Sequence, residues 1–189
     1  MLVNAVYFKG AWQNDFSKSA TEDGVFTDRN GKENTVSFMH DTAWRQVSQK
    51  DGVTITKLPY KTSDGKNSSN LDVSMYLLMS DKAFNAEKEL SAAKFDSVYT
   101  ALSMPKFRIE YSAGMSDMLK KIGINKAFTN TADLSSMLTG SGRTLISDVI
   151  HKTYIDVDEE GTEAAAVTGV SVGATSLPPT PTEINYNKP

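Results

Sequence analysis

Side chains able to do covalent chemistry are sparse in this sequence of 189 residues. It contains no cysteine, which excludes disulfides, thiol catalysis and cysteine-ligated zinc. Its two histidines, His40 and His151, are far apart in sequence, so no metal site and no cofactor is expected. Ser63-Asp64-Gly65-Lys66 and Ser91-Ala92-Ala93-Lys94 fit a Ser-x-x-Lys pattern. That short pattern recurs by chance, and its companion motifs are missing. Asn67-Ser68-Ser69 has the form of a glycosylation acceptor in a polar stretch, and chance explains it equally well. On these residues the chain does not read as an enzyme.

One segment stands out for its composition. Between Glu163 and Glu183 there is no charge, and as far as Leu177 the residues are mostly Ala, Gly, Ser, Thr and Val. Thr162, Ala164, Ala166, Thr168, Val170 and Val172 form one parity, free of charge and glycine. Glu163, Ala165, Val167, Gly169, Ser171 and Gly173 form the other. A period of two suits a strand with one covered face. Small side chains suit entry between existing strands, where a bulky one would strain the packing by about 1–3 kcal/mol. The glycines and small residues equally let the segment remain a loop. The composition of residues 158–177 therefore predicts a stretch with two available states.

The rest of the chain must position that segment. Hydrophobic residues make up 39% and charged residues 23%, with a net charge of −3, as in an ordinary globular protein. No basic face and no membrane-length apolar run is present, so neither nucleic acid nor membrane is expected as a partner. The opening Met1–Phe8 lacks the charged leader of a signal peptide, and the apolar start and abrupt end read as those of a fragment.

The pattern predicts a buried strand over Leu2–Phe8 and strands over Val25–Thr27 and Thr35–Val47 around a turn at Asp28-Arg29-Asn30-Gly31. A hairpin of Val53–Tyr60 and Leu71–Met79 across a polar loop at Thr62–Asn70 follows, then a short helix over Ala83–Lys94. Tyr99–Tyr111 reads as a long strand with an edge or bulge at Pro105. Ser112 is placed to cap a helix in which Met115, Met118, Leu119 and Ile122 would pack into the core and which Gly123 would end. Leu145–Val157 reads as another long strand. The class is α+β, dominated by strands.

Glu159-Glu160-Gly161-Thr162-Glu163-Ala164-Ala165-Ala166 resembles the hinge of inhibitory serpins. Leu2-Val3-Asn4-Ala5-Val6-Tyr7-Phe8-Lys9-Gly10-Ala11-Trp12 is similar to that family's third central strand and the tryptophan after it. Met104-Pro105-Lys106-Phe107 resembles the start of its sixth strand, and His151-Lys152 its fifth-strand pattern. Gly123-Ile124, Phe128 and Ala132-Asp133-Leu134-Ser135 resemble a helix-and-loop signature. Asn187-Lys188-Pro189 resembles a pattern that continues into phenylalanine. These matches run in order along nearly the whole chain.

The resemblance implies a partial serpin fold over residues 1–189, mostly antiparallel sheets with a few helices and a reactive-centre loop. Sheet strands would occupy 2–157, the hinge and loop 158–178, and a return strand 182–189. It implies inhibition of a serine protease by suicide-substrate trapping: the protease cuts the loop, the freed end inserts as a strand, and the acyl-enzyme is distorted. Loop insertion is itself a known switching device. Counting along the family pattern from Glu159 puts the scissile bond at Thr175-Ser176. With Val172 and Ala174 upstream, that bond suits an elastase-like or subtilisin-like enzyme. A cysteine protease is the second class of target, and self-association by loop-sheet insertion is a further expectation. The family favours a secreted or cell-envelope location.

Residue by residue, Gly161 would give backbone freedom where strand becomes loop, and Thr162 would be the first inward side chain. Lys106 and Glu159 would form an ion pair where insertion begins, with Trp12 packed beneath it. Asn4 and His151 would share a hydrogen bond between middle strands. The alternative is a non-inhibitory relative acting as carrier, chaperone or storage-like protein. Such relatives usually carry bulky, charged or proline residues in the hinge, and from Gly161 to Thr175 there is none apart from Glu163. The 189-residue piece alone is expected to expose sheet edges and apolar faces and not to inhibit.

Overall fold

Runs rich in β-branched and aromatic residues, punctuated by Asp, Asn and Gly, make strands the dominant element. The computed structural model describes residues 1–61, 73–137, 145–162 and 179–189. In chain order the strands are β1 (Leu2–Val6), β2 (Gly10–Ala11), β3 (Glu22–Thr27), β4 (Glu33–Lys50), β5 (Val53–Pro59) and β6 (Ser74–Ser80), followed by helix α1 (Ala86–Ala92). Then come β7 (Asp96–Pro105), β8 (Phe107–Gly114), helix α2 (Ser116–Lys121), β9 (Val149–Asp158), β10 (Gly161–Thr162) and β11 (Thr182–Asn185). Short 3-10 turns stand at Lys18–Ala20, Lys126–Phe128 and Ser135–Met137. The chain divides into two compact units, residues 1–8 with 108–155 and residues 9–107 with 156–189.

The larger unit is built on β4, whose 18 residues serve several partners. Its first half pairs antiparallel with β3, its middle with β7 and its last residues with β5. Strand β5 continues antiparallel to β6, and β11 lies parallel to β7. Both hairpin turns follow from local chemistry. At the first, Asp28 Oδ1 accepts the N–H groups of Asn30 and Lys32, and Gly31 takes a positive φ of 79°. At the second, Asp51-Gly52 supplies the two positive φ angles that a tight two-residue hairpin needs. Alternation then places Met39, Leu102, Met104 and Ile184 on one covered face. The return segment is anchored by Tyr186, whose hydroxyl donates to the Leu77 carbonyl (3.1 Å) and shares a hydrogen bond with Thr56 Oγ1 (2.8 Å). Burial pushes that phenol up to about 12.

In the smaller unit β1 runs parallel to β9, Leu2 opposite Val149 through Val6 opposite Thr153, and β8 also pairs with β9. Ser116 fastens α2 to the start of β9: its hydroxyl donates to Asp148 Oδ1 (2.8 Å) and accepts from Val149 N (2.9 Å). Gly123, at φ 100°, ends the turn after α2, as its position predicts. Asp133 Oδ1 accepts from both the backbone and the hydroxyl of Ser135. Those two bonds hold its carboxyl below the ordinary aspartate range.

Several expectations need correction. Leu2–Phe8 is not buried: every residue of β1 is exposed, with Val3 at 52% and Val6 at 50%. Pairing with β9 satisfies its backbone, but nothing among the described residues covers its side chains. Ser112 caps no helix, because β8 runs on to Gly114 and the residue before α2 is Met115. Met118 and Ile122 lie in water rather than in a core, at 57% and 70% exposure. Residues 145–148 precede β9 rather than belonging to it. Pro105 marks no bulge; it is the last residue of β7 and stands at a local edge, where β4 alone still pairs with the strand. The next N–H, of Lys106, turns to Ser37 O (2.8 Å) on β4. The proline nitrogen therefore faces the side on which the β11 pairing has already stopped, at Ser103. The polar loop expected at 62–70 lies outside the described residues.

Candidate functional site

The end of β9 folds back on itself. Asp158 Oδ1 accepts the N–H groups of Glu160 (2.9 Å) and Gly161 (3.2 Å), which closes a turn over Glu159-Glu160. The chain returns as β10, antiparallel to β9, with Gly161 opposite Asp158 and Thr162 opposite Val157. On its other edge β10 pairs with β2, Gly161 opposite Ala11 and Thr162 opposite Gly10. Gly161 and Thr162 thus lie inside a ladder rather than on a surface loop.

Gly161 has to be glycine here. Its φ of 143° lies in the region that L side chains rarely adopt, and a Cβ would stand 2.2 Å from Gly10 O and 2.7 Å from Ala11 Cα. Thr162 is 1% exposed, and its hydroxyl meets the Tyr60 hydroxyl at 3.0 Å. Tyr60 stacks on Trp12, ring centroids 4.7 Å apart and 14° from parallel. Trp12, also 1% exposed, meets Phe16 edge-on and sends its indole N–H to Asp158 O (2.9 Å). The backbone after β2 wraps the same turn, Trp12 N donating to Glu160 O (3.0 Å) and Phe16 N to Glu159 O (2.8 Å). Burial pushes the Tyr60 phenol up, and its bond to Thr162 pulls it partway back.

Glu159 is the one carboxylate among the buried described residues, at 3% exposure. Lys106 Nζ lies 2.9 Å from its Oε2 and 3.1 Å from its Oε1, and Thr21 Oγ1 donates to Oε1 at 2.7 Å. Burial alone would push this carboxyl up. The Thr21 and Lys106 hydrogen bonds and the Lys106 charge outweigh it and hold the group below the ordinary glutamate range. Glu160 lies outward and pairs with Lys18 at 2.5 Å. That contact raises the Lys18 pKa.

The structure therefore brings Trp12, Lys106, Glu159, Glu160, Gly161 and Thr162 together in the larger unit. Asn4 and His151 belong to the smaller one and stand opposite each other in the β1–β9 register. His151 Nε2 and Thr153 Oγ1 share a hydrogen bond (3.1 Å), and no bond between His151 and Asn4 is among the described contacts. Glu163, Ala164, Ala165, Ala166, Thr175 and Ser176 lie outside the described residues. So does Gly169-Val170-Ser171-Val172-Gly173, a formal G-x-S-x-G match, which corrects the enzyme reading's expectation that this motif is absent. Sequence reasoning missed Tyr60, Thr21 and Phe16. A signal existed for Tyr60, an aromatic residue directly after Pro59 at the end of a strand. Thr21 and Phe16 carry none, because only the fold brings them to Glu159.

Two strand-rich sheets, few helices and a buried turn after β9 define a β-rich α+β protein. The model of the serpin (serine protease inhibitor) family matches residues 1–189, and the chain belongs to that family. It is 35% identical over 200 aligned residues to Serpin-ZX of Hordeum vulgare, covering 98% of this chain and 49% of that protein. Tengpin, a thermophilic serpin in its native state, superposes with a TM-score of 0.70 at 27% identity, over 98% of this chain and 49% of that one. Human thyroxine-binding globulin complexed with thyroxine shares the fold, with a TM-score of 0.75 at 24% identity over 98% of this chain and 49% of that one. The chain spans about half the length of the curated relatives it matches.

Proposed function

We propose that this chain is the hinge-bearing and bait-bearing part of an inhibitor that traps a serine protease by loop insertion. The observation that carries the reading is Thr162. It is a small, buried side chain, paired on both edges, at the head of a segment with the period of a strand. In this reading β10 is the first step of an insertion that the rest of the loop completes after cleavage at Thr175-Ser176. Each further residue would gain ladder hydrogen bonds and bury one face. The uncut form would then be held above the inserted one by a kinetic barrier. Lys106, Thr21 and Trp12 set that barrier, since their contacts with Glu159 and Asp158 fix the turn. The Asn4–His151 pair would act between strands as the parting point.

The test mixes the intact protein carrying this chain with elastase-like and subtilisin-like proteases. A covalent complex that survives denaturant is the expected product. Cleavage with no trapped enzyme would instead favour the carrier-type reading. Thr162→Arg must force a long cation into a site that is 1% exposed, so this variant should be cut as a substrate. If it traps protease as well as the wild type, the insertion account is wrong.

A further inference from the structure

The turn between β3 and β4 carries Asn30-Gly31, the one Asn-Gly pair in the sequence. An asparagine amide is an electrophile, and the main-chain nitrogen of the next residue is a nucleophile within its reach. A side chain on that next residue hinders the approach, so glycine obstructs it least. Every other asparagine is followed by a residue that carries a Cβ. Asn30 and Gly31 are both exposed, and a Cβ built on Gly31 meets nothing within 4 Å. The Asn30 side-chain amide has no partner among the described contacts.

The turn itself opposes the reaction. Gly31 N–H, the attacking group, donates to Asp28 O (3.0 Å). Asp28 Oδ1 accepts from Asn30 N (2.8 Å) and Lys32 N (3.0 Å), and Asp28 N donates to Lys32 O (2.9 Å). The Gly31 nitrogen must give up its bond and its proton and rotate toward Asn30 Cγ before it can attack. Asp28 is bonded on both sides of the reacting pair, so its carboxylate keeps the turn shut.

We propose that Asn30 is a site of spontaneous amide-to-acid conversion and that Asp28 sets its rate. Gly31 N loses its proton to solvent base and bonds to Asn30 Cγ. The Cγ–Nδ2 bond breaks, and the amide nitrogen leaves as ammonia, giving a cyclic imide. Water then opens the ring. Cleavage of the new N–Cγ bond gives aspartate, and cleavage of the original Asn30 C–Gly31 N bond gives isoaspartate. Isoaspartate adds a methylene to the main chain inside a turn closed by the Asp28–Lys32 bond, next to Thr27, whose N–H anchors Asn187 O (2.9 Å). The conversion is read by mass, so it does not rest on protease inhibition.

The experiment incubates the intact protein carrying this chain at mildly alkaline pH and body temperature and follows each asparagine by peptide mass mapping. Asn30 should convert faster than every other asparagine and give both acid products. Reaction from a locally opened turn follows the population of the open form. Asp28→Ala deletes the Oδ1 acceptor and should therefore speed conversion about fivefold. Asp28→Asn keeps an Oδ1 acceptor and should stay within about twofold of wild type. If Asp28→Ala fails to fold, wild type in urea decides: the opened chain should convert at least about fivefold faster than the folded one. No conversion at Asn30, faster conversion elsewhere, or a rate unchanged by Asp28→Ala and by urea would overturn the proposal.

Discussion

Two short strands lie against β9, and their surroundings differ completely. Strand β1 pairs over five residues, from Leu2–Val149 to Val6–Thr153, and every one of its side chains is exposed. Strand β10 pairs over two, and both are buried. Ladder length therefore does not decide burial. Backbone pairing satisfies N–H and C=O groups wherever it occurs, but an apolar stabilisation requires something stacked on the face. Beneath β10 there is a stack of Trp12 on Tyr60 and an ionic cluster at Glu159. Beneath β1 the described residues place nothing. Two residues of hinge thus hold more tertiary interaction than five residues of ordinary strand.

The sharpest way to break this contrast is Gly161→Ala. A Cβ 2.2 Å from Gly10 O, at φ 143°, must either open the β10–β2 pairing or shift the turn. The expected loss is about 3 kcal/mol, from backbone strain and overpacking together. Denaturant midpoints of the two proteins check it. A difference under about 0.5 kcal/mol would show that the hinge is not held as described.

Next is Glu159→Gln, which keeps shape and a Thr21 contact but deletes the charge facing Lys106. About 1.5 kcal/mol should be lost near neutral pH, at the modest end for a charged pair because Lys106 is partly exposed. The pH dependence carries the sign. The folded carboxyl titrates below its ordinary value of 4.5, so its contribution is present above that value and is lost as pH falls through the lower folded one. Unfolding curves from pH 6 downward should therefore be flatter for Glu159→Gln than for wild type. Identical slopes would remove Glu159 from the account.

These residues also show what the sequence could and could not disclose. The hairpin turn at 28–31, the strand runs and the helix stop at Gly123 were legible because their causes are local: turn chemistry, period two, positive φ. The hinge was legible as composition, and the Lys106–Glu159 contact only through a family resemblance. The exposure of β1 was not legible. An apolar run looks the same in sequence whether or not a partner covers it. Tyr60, Thr21 and Phe16 were missed because their role is set by residues about 100 or more positions away, which no local pattern encodes.

A double-mutant cycle sharpens the comparison within the hinge. Tyr60→Phe and Thr162→Val each remove one hydroxyl of a buried pair and break the contact between them. Each should lose about 1–1.5 kcal/mol, while the double variant loses less than the sum by about 1 kcal/mol. Strict additivity in thermal or urea unfolding would mean that the 3.0 Å contact contributes nothing.

The smallest effect is expected where the ladder is longest. Val3 is 52% exposed and stands opposite Ile150. Val3→Thr preserves β-branching and the backbone ladder and exchanges one methyl that already contacts water for a hydroxyl. Urea unfolding of the 189-residue chain should move by less than about 0.5 kcal/mol. A loss above about 1.5 kcal/mol would mean that the β1 face is covered in solution, and a second copy is one such cover. In that case the loss must grow with protein concentration, because association stabilises by mass action. A concentration-independent loss would place the missing contact within a single chain and would end the contrast between β1 and β10.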